Sequence, residues 1–265
     1  MIKYNKIGLL SLLLTLPAVQ NISAQESNID SLMIEEVVVT AQKKEENIQD
    51  VGIAITALTG DQLKALGISS SLDIVAHTPG LEATGAGGGV GATSFAIRGV
   101  AQNDFSSPQE SPVAIYIDQS YIATPAMSSF SLFDLERVEV LKGPQGTLFG
   151  RNATGGLVHF ISRKPSQEKE SHLDVTLANE GRKYIEYAAG GGISDSVSGR
   201  LSLASNKSSG LLKNDIGPDL MAEDNFNMRA QLFFEHSENS STLLKIEEGD
   251  EDSNRGGYSM QIGYN

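Results

Sequence analysis

The polar side chains that could do chemistry are spread along this 265-residue chain with little shared spacing. Its four histidines, His77, His159, His172 and His236, fall at no interval that builds a metal triad. The stretch Asp250-Glu251-Asp252-Ser253-Asn254-Arg255-Gly256 imitates a calcium loop. It fails on inspection: the sixth position of such a loop needs glycine and here holds Arg255, and the twelfth holds Gln261 instead of glutamate. An acidic surface loop is the better reading, and no metal is expected. No serine sits in a Gly-x-Ser-x-Gly elbow, and the absence of cysteine removes thiolate nucleophiles, thiolate metal sites and disulfides together. The glycine cluster Gly85-Ala86-Gly87-Gly88-Gly89-Val90-Gly91 lacks the strand-to-helix spacing of a dinucleotide loop, and no Gly-Lys-Ser/Thr follows it. Nothing points to an enzyme, so neither catalytic residues nor a cofactor are expected.

What remains is the chemistry of recognition. A formal net charge of −13 argues against nucleic acid, because neutralising phosphates takes a basic face. Val37, Val38 and Val39 follow two acids and precede Thr40 and Ala41, which makes a short, extended, β-prone segment. With polar flanks it suits addition to the edge of a partner's sheet. At the start of the chain, Lys3 and Lys6 precede an apolar run over residues 7–16, and Ser23-Ala24 offers a small residue for cleavage. Residues 1–24 therefore read as a secretory leader. An apolar run of about ten residues is too short for a spanning helix, which takes about twenty.

The elements that must position such residues fall into two grammars. Between residues 47 and 165 short strands alternate with short helices. Thr59 and Gln62 form a capping box for a helix over 62–66, ended by Gly67, and Ser70 and Asp73 cap a second one before Pro79-Gly80. Strands are predicted at 51–58, 113–117, 138–141 and 157–162, the last two bracketing Gly143, Gly146, Gly150, Gly155 and Gly156. After Pro165 apolar and polar residues alternate. Leu173, Val175 and Leu177 make one stripe, and Phe226, Met228, Ala230, Leu232 and Phe234 another, with Asn227, Arg229, Gln231 and Glu235 on the opposite face. Short returns near Gly181 and at 194–199 alternate with a long polar loop at 208–224, the pattern of a transmembrane barrel. A soluble β-sandwich shares that alternation.

The run Phe-Asp-Leu-Glu-Arg-Val-Glu-Val-Leu-Lys-Gly-Pro-Gln-Gly-Thr-Leu-Phe-Gly-Arg-Asn-Ala-Thr-Gly-Gly-Leu-Val-His-Phe-Ile-Ser-Arg-Lys-Pro, residues 133–165, closely resembles the signature of the plug domain of TonB-dependent outer-membrane receptors. Ile97-Arg98-Gly99 resembles a second motif of that family. The resemblance implies an α+β plug domain over 47–165, a small mixed sheet with short helices. The first antiparallel strands of a transmembrane β-barrel follow at 171–265. It implies that residues 25–46 are a periplasmic segment carrying the TonB box, at 34–41, in which Glu36, Val37, Val38, Val39, Thr40 and Ala41 are gripped by TonB. It also implies that Arg98 and Lys142 pair with wall glutamates and hold the plug in place. Lys142 stands where the family more often has arginine, which loses the bidentate fork. Asn103, Asp104, Phe105 and Tyr121 are expected to contact an extracellular ligand from loops that point outward. Gln119 departs from the glycine usual after Asp118.

The expected function is active uptake through the outer membrane, driven by TonB and its inner-membrane energising complex, with a ferric siderophore as cargo. Vitamin, haem and oligosaccharide cargoes are the other possibilities, and outer-membrane lipid is the implied surroundings. At about ten residues per strand, the part after Glu170 supplies about five strands, too few to close a barrel, so a fragment of a longer receptor is expected. The rival reading is a soluble periplasmic interaction module made of the plug alone.

Overall fold

The structure is a computed structural model that describes residues 37–40, 43–44, 46–85, 93–102, 110–123, 130–210, 213–214, 219–220 and 222–252. The leader, Glu36, Ala41, Asn103, Asp104, Phe105, the glycine cluster from 86 to 91 and most of the acidic stretch after Asp252 lie outside the described residues.

The chain enters through two short strands, β1 (Val38–Val39) and β2 (Glu46–Asn47), paired antiparallel. Strand β3 (Ala54–Thr59) runs into helix α1 (Gly60–Ala65). The expected capping box is present: Thr59 Oγ1 accepts from the Gln62 backbone N–H at 3.3 Å, and Gln62 Oε1 accepts from that of Thr59 at 3.0 Å. A 3₁₀ turn at Asp73–His77 stands where the second helix was expected. There the Asp73 carboxylate accepts the backbone N–H groups of Ser69 and Ser70, which tightens the turn. A two-stranded arm follows, β4 (Leu81–Gly85) with β5 (Thr93–Ile97). Then come β6 (Val113–Ile117), β7 (Ser120–Ile122), β8 (Leu135–Lys142), the short helix α2 (Gly146–Phe149) and β9 (Gly156–Ser162).

Five of these strands make a mixed sheet in the order β3-β8-β9-β6-β7, with only β6 and β9 parallel. Both faces of the sheet are covered, so β6 and β9 read as near-continuous apolar runs instead of alternating ones. On one face Val138, Val140, Val158, Phe160, Val113 and Ile115 pack with Leu63 of α1 and Ile74 of the 3₁₀ turn. On the other, Ala114, Leu141 and Leu157 pack with Phe149 of α2 and with Val39. Gly156 is required at the start of β9. It holds φ at +138°, and a Cβ there would lie 2.2 Å from the carbonyl oxygen of Leu141.

After Pro165 a second five-stranded sheet is a plain antiparallel meander of β10 (Glu170–Leu177), β11 (Lys183–Ser194), β12 (Val197–Ser208), β13 (Glu223–Ser237) and β14 (Ser240–Glu251). Its register puts Leu173, Tyr187, Leu203 and Met228 on one face, and Ala188, Ser202, Arg229 and Glu247 on the other. The first face is exposed: Leu177 keeps 73% of its surface and Ile246 70%. The second meets the plug at Phe133 and Asp134, with Arg200, Ser202 and Arg229 buried. Apolar residues outward and polar residues inward invert the soluble pattern and fit a sheet whose outer solvent is lipid. No helix among the described residues is long and apolar enough to cross a membrane.

Candidate functional site: the interface between the two sheets and the docked N-terminal segment

The two sheets are joined at Asp134, just ahead of β8. Its backbone sits at φ +45°, a left-handed conformation that aspartate tolerates better than most residues. Both carboxylate oxygens accept from Arg200 of β12, Nε and Nη2, each at 2.7 Å, a fork that fixes direction as well as distance. Ser202 Oγ also donates to this carboxylate. Arg229 of β13 lies over the ring of Phe133, 4.3 Å from its centroid, and reaches the carbonyl oxygens of Phe133 and Asp134 at 3.4 Å. The backbone N–H of Asp134 donates to Glu186 Oε1 of β11 at 3.1 Å. Burial pushes the Asp134 carboxyl up, but the hydrogen bonds from Arg200 and Ser202 and the two positive charges outweigh it, and the group titrates below the usual carboxylate range.

A second junction sits at the turn between β6 and β7. Asp118 holds φ at +53°; its Oδ1 accepts from the Ser162 N–H and its Oδ2 from Lys245 Nζ of β14, both at 2.7 Å. Here too burial raises the carboxyl and the bonds from Lys245 and Ser162 lower it further, leaving it below its ordinary value. Looser contacts ring these two: Arg182 to Ser69 Oγ at 2.9 Å, Gln231 to the Arg163 carbonyl at 2.9 Å, and a half-exposed Lys64–Asp174 ion pair at 2.8 Å. A cavity of about 300 Å³ lies between α1 and strands β10 and β11, lined in part by Lys64, Asp174 and Glu186. Asp134, His172 and Glu186 bring three ligand atoms within 4.8 Å of one another, a grouping the histidine spacing hid. Each is already committed: His172 Nε2 lies 2.9 Å from Glu186, Tyr184 donates to Glu186, and Arg200 occupies Asp134.

The valine segment is docked, not free. Val39 is fully buried against Leu141, Leu157 and Phe149, β1 is paired with β2, and the Ile48 N–H donates to the Val37 carbonyl at 2.9 Å. Thr40 gives its backbone N–H to Glu139 Oε1 at 2.7 Å and its hydroxyl to the same oxygen at 3.2 Å. That oxygen also accepts from Arg137 Nε at 2.8 Å.

The two bases expected at the interface lie together at the far end of β8. Lys142 donates to Thr56 Oγ1 of β3 at 2.8 Å. Partial burial and the charge of nearby Arg98 hold its pKa below the ordinary lysine value. Arg98 is exposed in a tight turn at φ +52°, its N–H bonded to the Gly80 carbonyl. Among the described residues neither base forms an ion pair with the meander. Tyr121 packs its ring 5.6 Å from that of Tyr116 on the face that holds Val39, and its hydroxyl accepts from Asn152 at 2.9 Å. The Asp134 and Asp118 junctions were missed because their partners lie far along the chain. The signal that could have found them is a charged residue at an inward position of an alternating strand, as Arg200, Arg229 and Lys245 all are.

A small mixed-sheet domain held by buried ion pairs to the polar face of a meander, with an apolar outer face, is the plug and opening wall of a plugged barrel. Residues 47–157 match the family described as TonB-dependent Receptor Plug Domain. The pesticin receptor of Yersinia enterocolitica is 30% identical over 189 residues, 69% of this chain and 26% of its own length. The vitamin B12 transporter of Vibrio vulnificus is 24% identical over 182 residues, 69% of this chain and 29% of its own. Among solved structures, the ferric yersiniabactin uptake receptor of Yersinia pestis superposes with a TM-score of 0.67 at 21% identity, covering 74% of this chain and 31% of that one. The pyoverdine outer membrane receptor of Pseudomonas aeruginosa gives 0.67 at 17% identity, covering 82% and 30%. The fold is thus that of a TonB-dependent receptor plug with the first strands of its barrel, and the chain spans less than a third of the length of these relatives.

Proposed function

We propose that this chain is the plug and first wall strands of a TonB-dependent uptake receptor of the outer membrane, with a ferric siderophore as cargo. The observation that carries the reading is the buried Asp134–Arg200 pair, which ties the plug to the inner face of a sheet whose outer face is bare apolar surface. A domain fixed to a lipid-facing wall by polar contacts blocks a path, and such contacts can be broken and remade. In this reading TonB grips residues 36–41 from the periplasm and pulls, the plug rearranges, and cargo bound by Asn103, Asp104, Phe105 and Tyr121 enters. Residues 1–24 act as the leader, and Arg98 and Lys142 meet glutamates of the wall. Iron chelates are favoured by the ferric yersiniabactin and pyoverdine receptors among the likenesses, while the vitamin B12 transporter marks the second cargo class. A soluble module made of the plug alone does not suit the exposed stripe of Leu173, Val175, Ile185, Leu244 and Ile246. The chain carries no sign of catalysis in this reading and transports its cargo unchanged.

The test is radioiron uptake from a panel of ferric siderophores by iron-starved cells whose sole receptor carries this segment on a closed barrel. Uptake should require TonB and an energised inner membrane. Equal uptake in cells lacking TonB would overturn the reading.

A further inference from the structure

Glu139 is a fully buried charged side chain of the plug, with none of its surface exposed. Its Oε1 takes three bonds, from the Thr40 N–H, the Thr40 hydroxyl and Arg137 Nε, so one buried oxygen holds the docked N-terminal segment by both backbone and side chain. Among the described residues Oε2 has no partner. Directly across the β8–β9 ladder from Glu139 stands His159, and residues paired in this way point their side chains to the same face. His159 Nε2 meets the carbonyl oxygen of Asp118, which can only accept, so Nε2 carries a proton; burial holds the ring's pKa below its ordinary value, and in the neutral ring Nδ1 is a bare acceptor. Nδ1, too, has no partner among the described residues. The Asp118 carboxylate is in turn held by Lys245 of the wall. A run of neighbours therefore leads from the wall to the segment: Lys245 is bonded to Asp118, Asp118 to His159, His159 faces Glu139 across the ladder, and Glu139 is bonded to Thr40.

We infer that Glu139 is a latch for the Thr40 segment, and that its hold is set from the barrel wall through Asp118 and His159. Two bare acceptors side by side leave Glu139 and His159 without a mutual bond, so the position of each is fixed by its other partners. For His159 that partner is the carbonyl of Asp118, a residue held by Lys245 from the wall and by the Ser162 N–H and Phe160 carbonyl from the plug. For Glu139 the partners are Arg137 and Thr40. If Lys245 lets go, the left-handed turn at Asp118 keeps only its bonds to the Ser162 N–H and the Phe160 carbonyl and can shift, and the His159 ring bonded to its carbonyl shifts with it. The latch then loses the wall that keeps its carboxylate turned toward Thr40. The use of this release for engaging TonB rests on the function proposed above; the coupling itself does not.

The chain contains no cysteine, so a single thiol can report on it. Val39→Cys places that thiol at a fully buried position of the docked segment, and Val158→Cys places one on the opposite face of the sheet. The full chain in detergent micelles is treated with a maleimide and the labelling rates compared. Glu139→Gln should speed labelling at 39 by about tenfold, the scale of one lost charge-assisted hydrogen bond, and leave 158 slow. Lys245→Met, made on a different sheet, should also speed labelling at 39 and not at 158. The two changes together should exceed Glu139→Gln alone by little, because both act on one run of contacts. An unchanged rate at 39 in Glu139→Gln overturns the latch, and an unchanged rate in Lys245→Met overturns its control from the wall. A rise at 39 and 158 alike, or fully additive effects, overturns the proposal as well, since either means general loosening. No TonB or cargo enters the assay, so its outcome is separate from that of the uptake experiment.

Discussion

Asp134 and Arg200 are 66 positions apart in the chain, yet each carboxylate oxygen of the first lies 2.7 Å from a guanidinium nitrogen of the second, and both side chains are buried. The pair binds the plug to its wall, and neither charge has water to fall back on. Arg200→Ala should leave a buried carboxylate with only Ser202 Oγ and the neighbouring charge of Arg229. Removal of one partner of a buried pair costs about 3–5 kcal/mol. The expected result is loss of protease protection and of slow amide exchange in β10–β14, while β8 and β9, with their own core, stay protected. Protection of the wall strands equal to that of the unaltered chain would count against the pair as the joint.

The same joint sets a pH dependence. Asp134 and Asp118 both titrate below the usual carboxylate range, through Arg200 and Ser202 in one case and Lys245 and Ser162 in the other, against the opposing pull of burial. A carboxyl depressed in the folded state stabilises fully above its unfolded pKa, about 4, and that stability is lost as pH falls through the lowered folded value. Plug and wall should therefore stay joined at neutral pH and down to about 5, and separate only in stronger acid. Amide exchange of β12 and β14 across an acid series reads this out. Separation beginning above the ordinary carboxylate range would contradict it.

How much of this was legible beforehand follows from where the determinants lie. The alternation of Phe226, Met228, Ala230, Leu232 and Phe234 is local, and the register places all five outward as the sequence implied. The Thr59–Gln62 box is local too and formed as read. The joint is not local. Asp134 finds Arg200 and Arg229 only after two sheets have folded, and its left-handed backbone leaves no mark in composition. The strand expected at 138–141 begins earlier, at Leu135, because burial extended pairing through Arg137 and Leu135. The docked state of the valine segment was likewise hidden, since its anchor Glu139 lies 99 positions away.

Gly156 and Gly146 sit in the same glycine-rich stretch and should respond oppositely to a methyl group. At Gly156 a Cβ meets the Leu141 carbonyl at 2.2 Å in a backbone conformation that disfavours side chains. At Gly146, the first residue of α2, nothing lies within 4 Å. Gly156→Ala should cost at least the 1–3 kcal/mol of a strained backbone, about 4 °C or more in Tm, and Gly146→Ala should be neutral or slightly stabilising. Equal melting of the two variants would mean that β9 can shift to make room.

Val38→Pro bears on the N-terminal segment itself. Proline removes a backbone donor and fixes φ, so it weakens any strand that residues 36–41 add to a partner. In the docked state the loss is small: β1 is two residues long, Val39 keeps its burial, and Thr40 still reaches Glu139. In the engaged state proposed above, strand pairing with the partner would be the grip. A receptor carrying Val38→Pro on a closed barrel should bind cargo at the cell surface with unchanged affinity and fail to take it up, whereas Val38→Ala should retain most uptake. Surface binding and uptake of the same radioiron siderophore, measured in parallel, separate the two steps. Normal uptake by the proline variant would remove residues 36–41 from the energy-coupling role, and loss of binding would move their part to the cargo site.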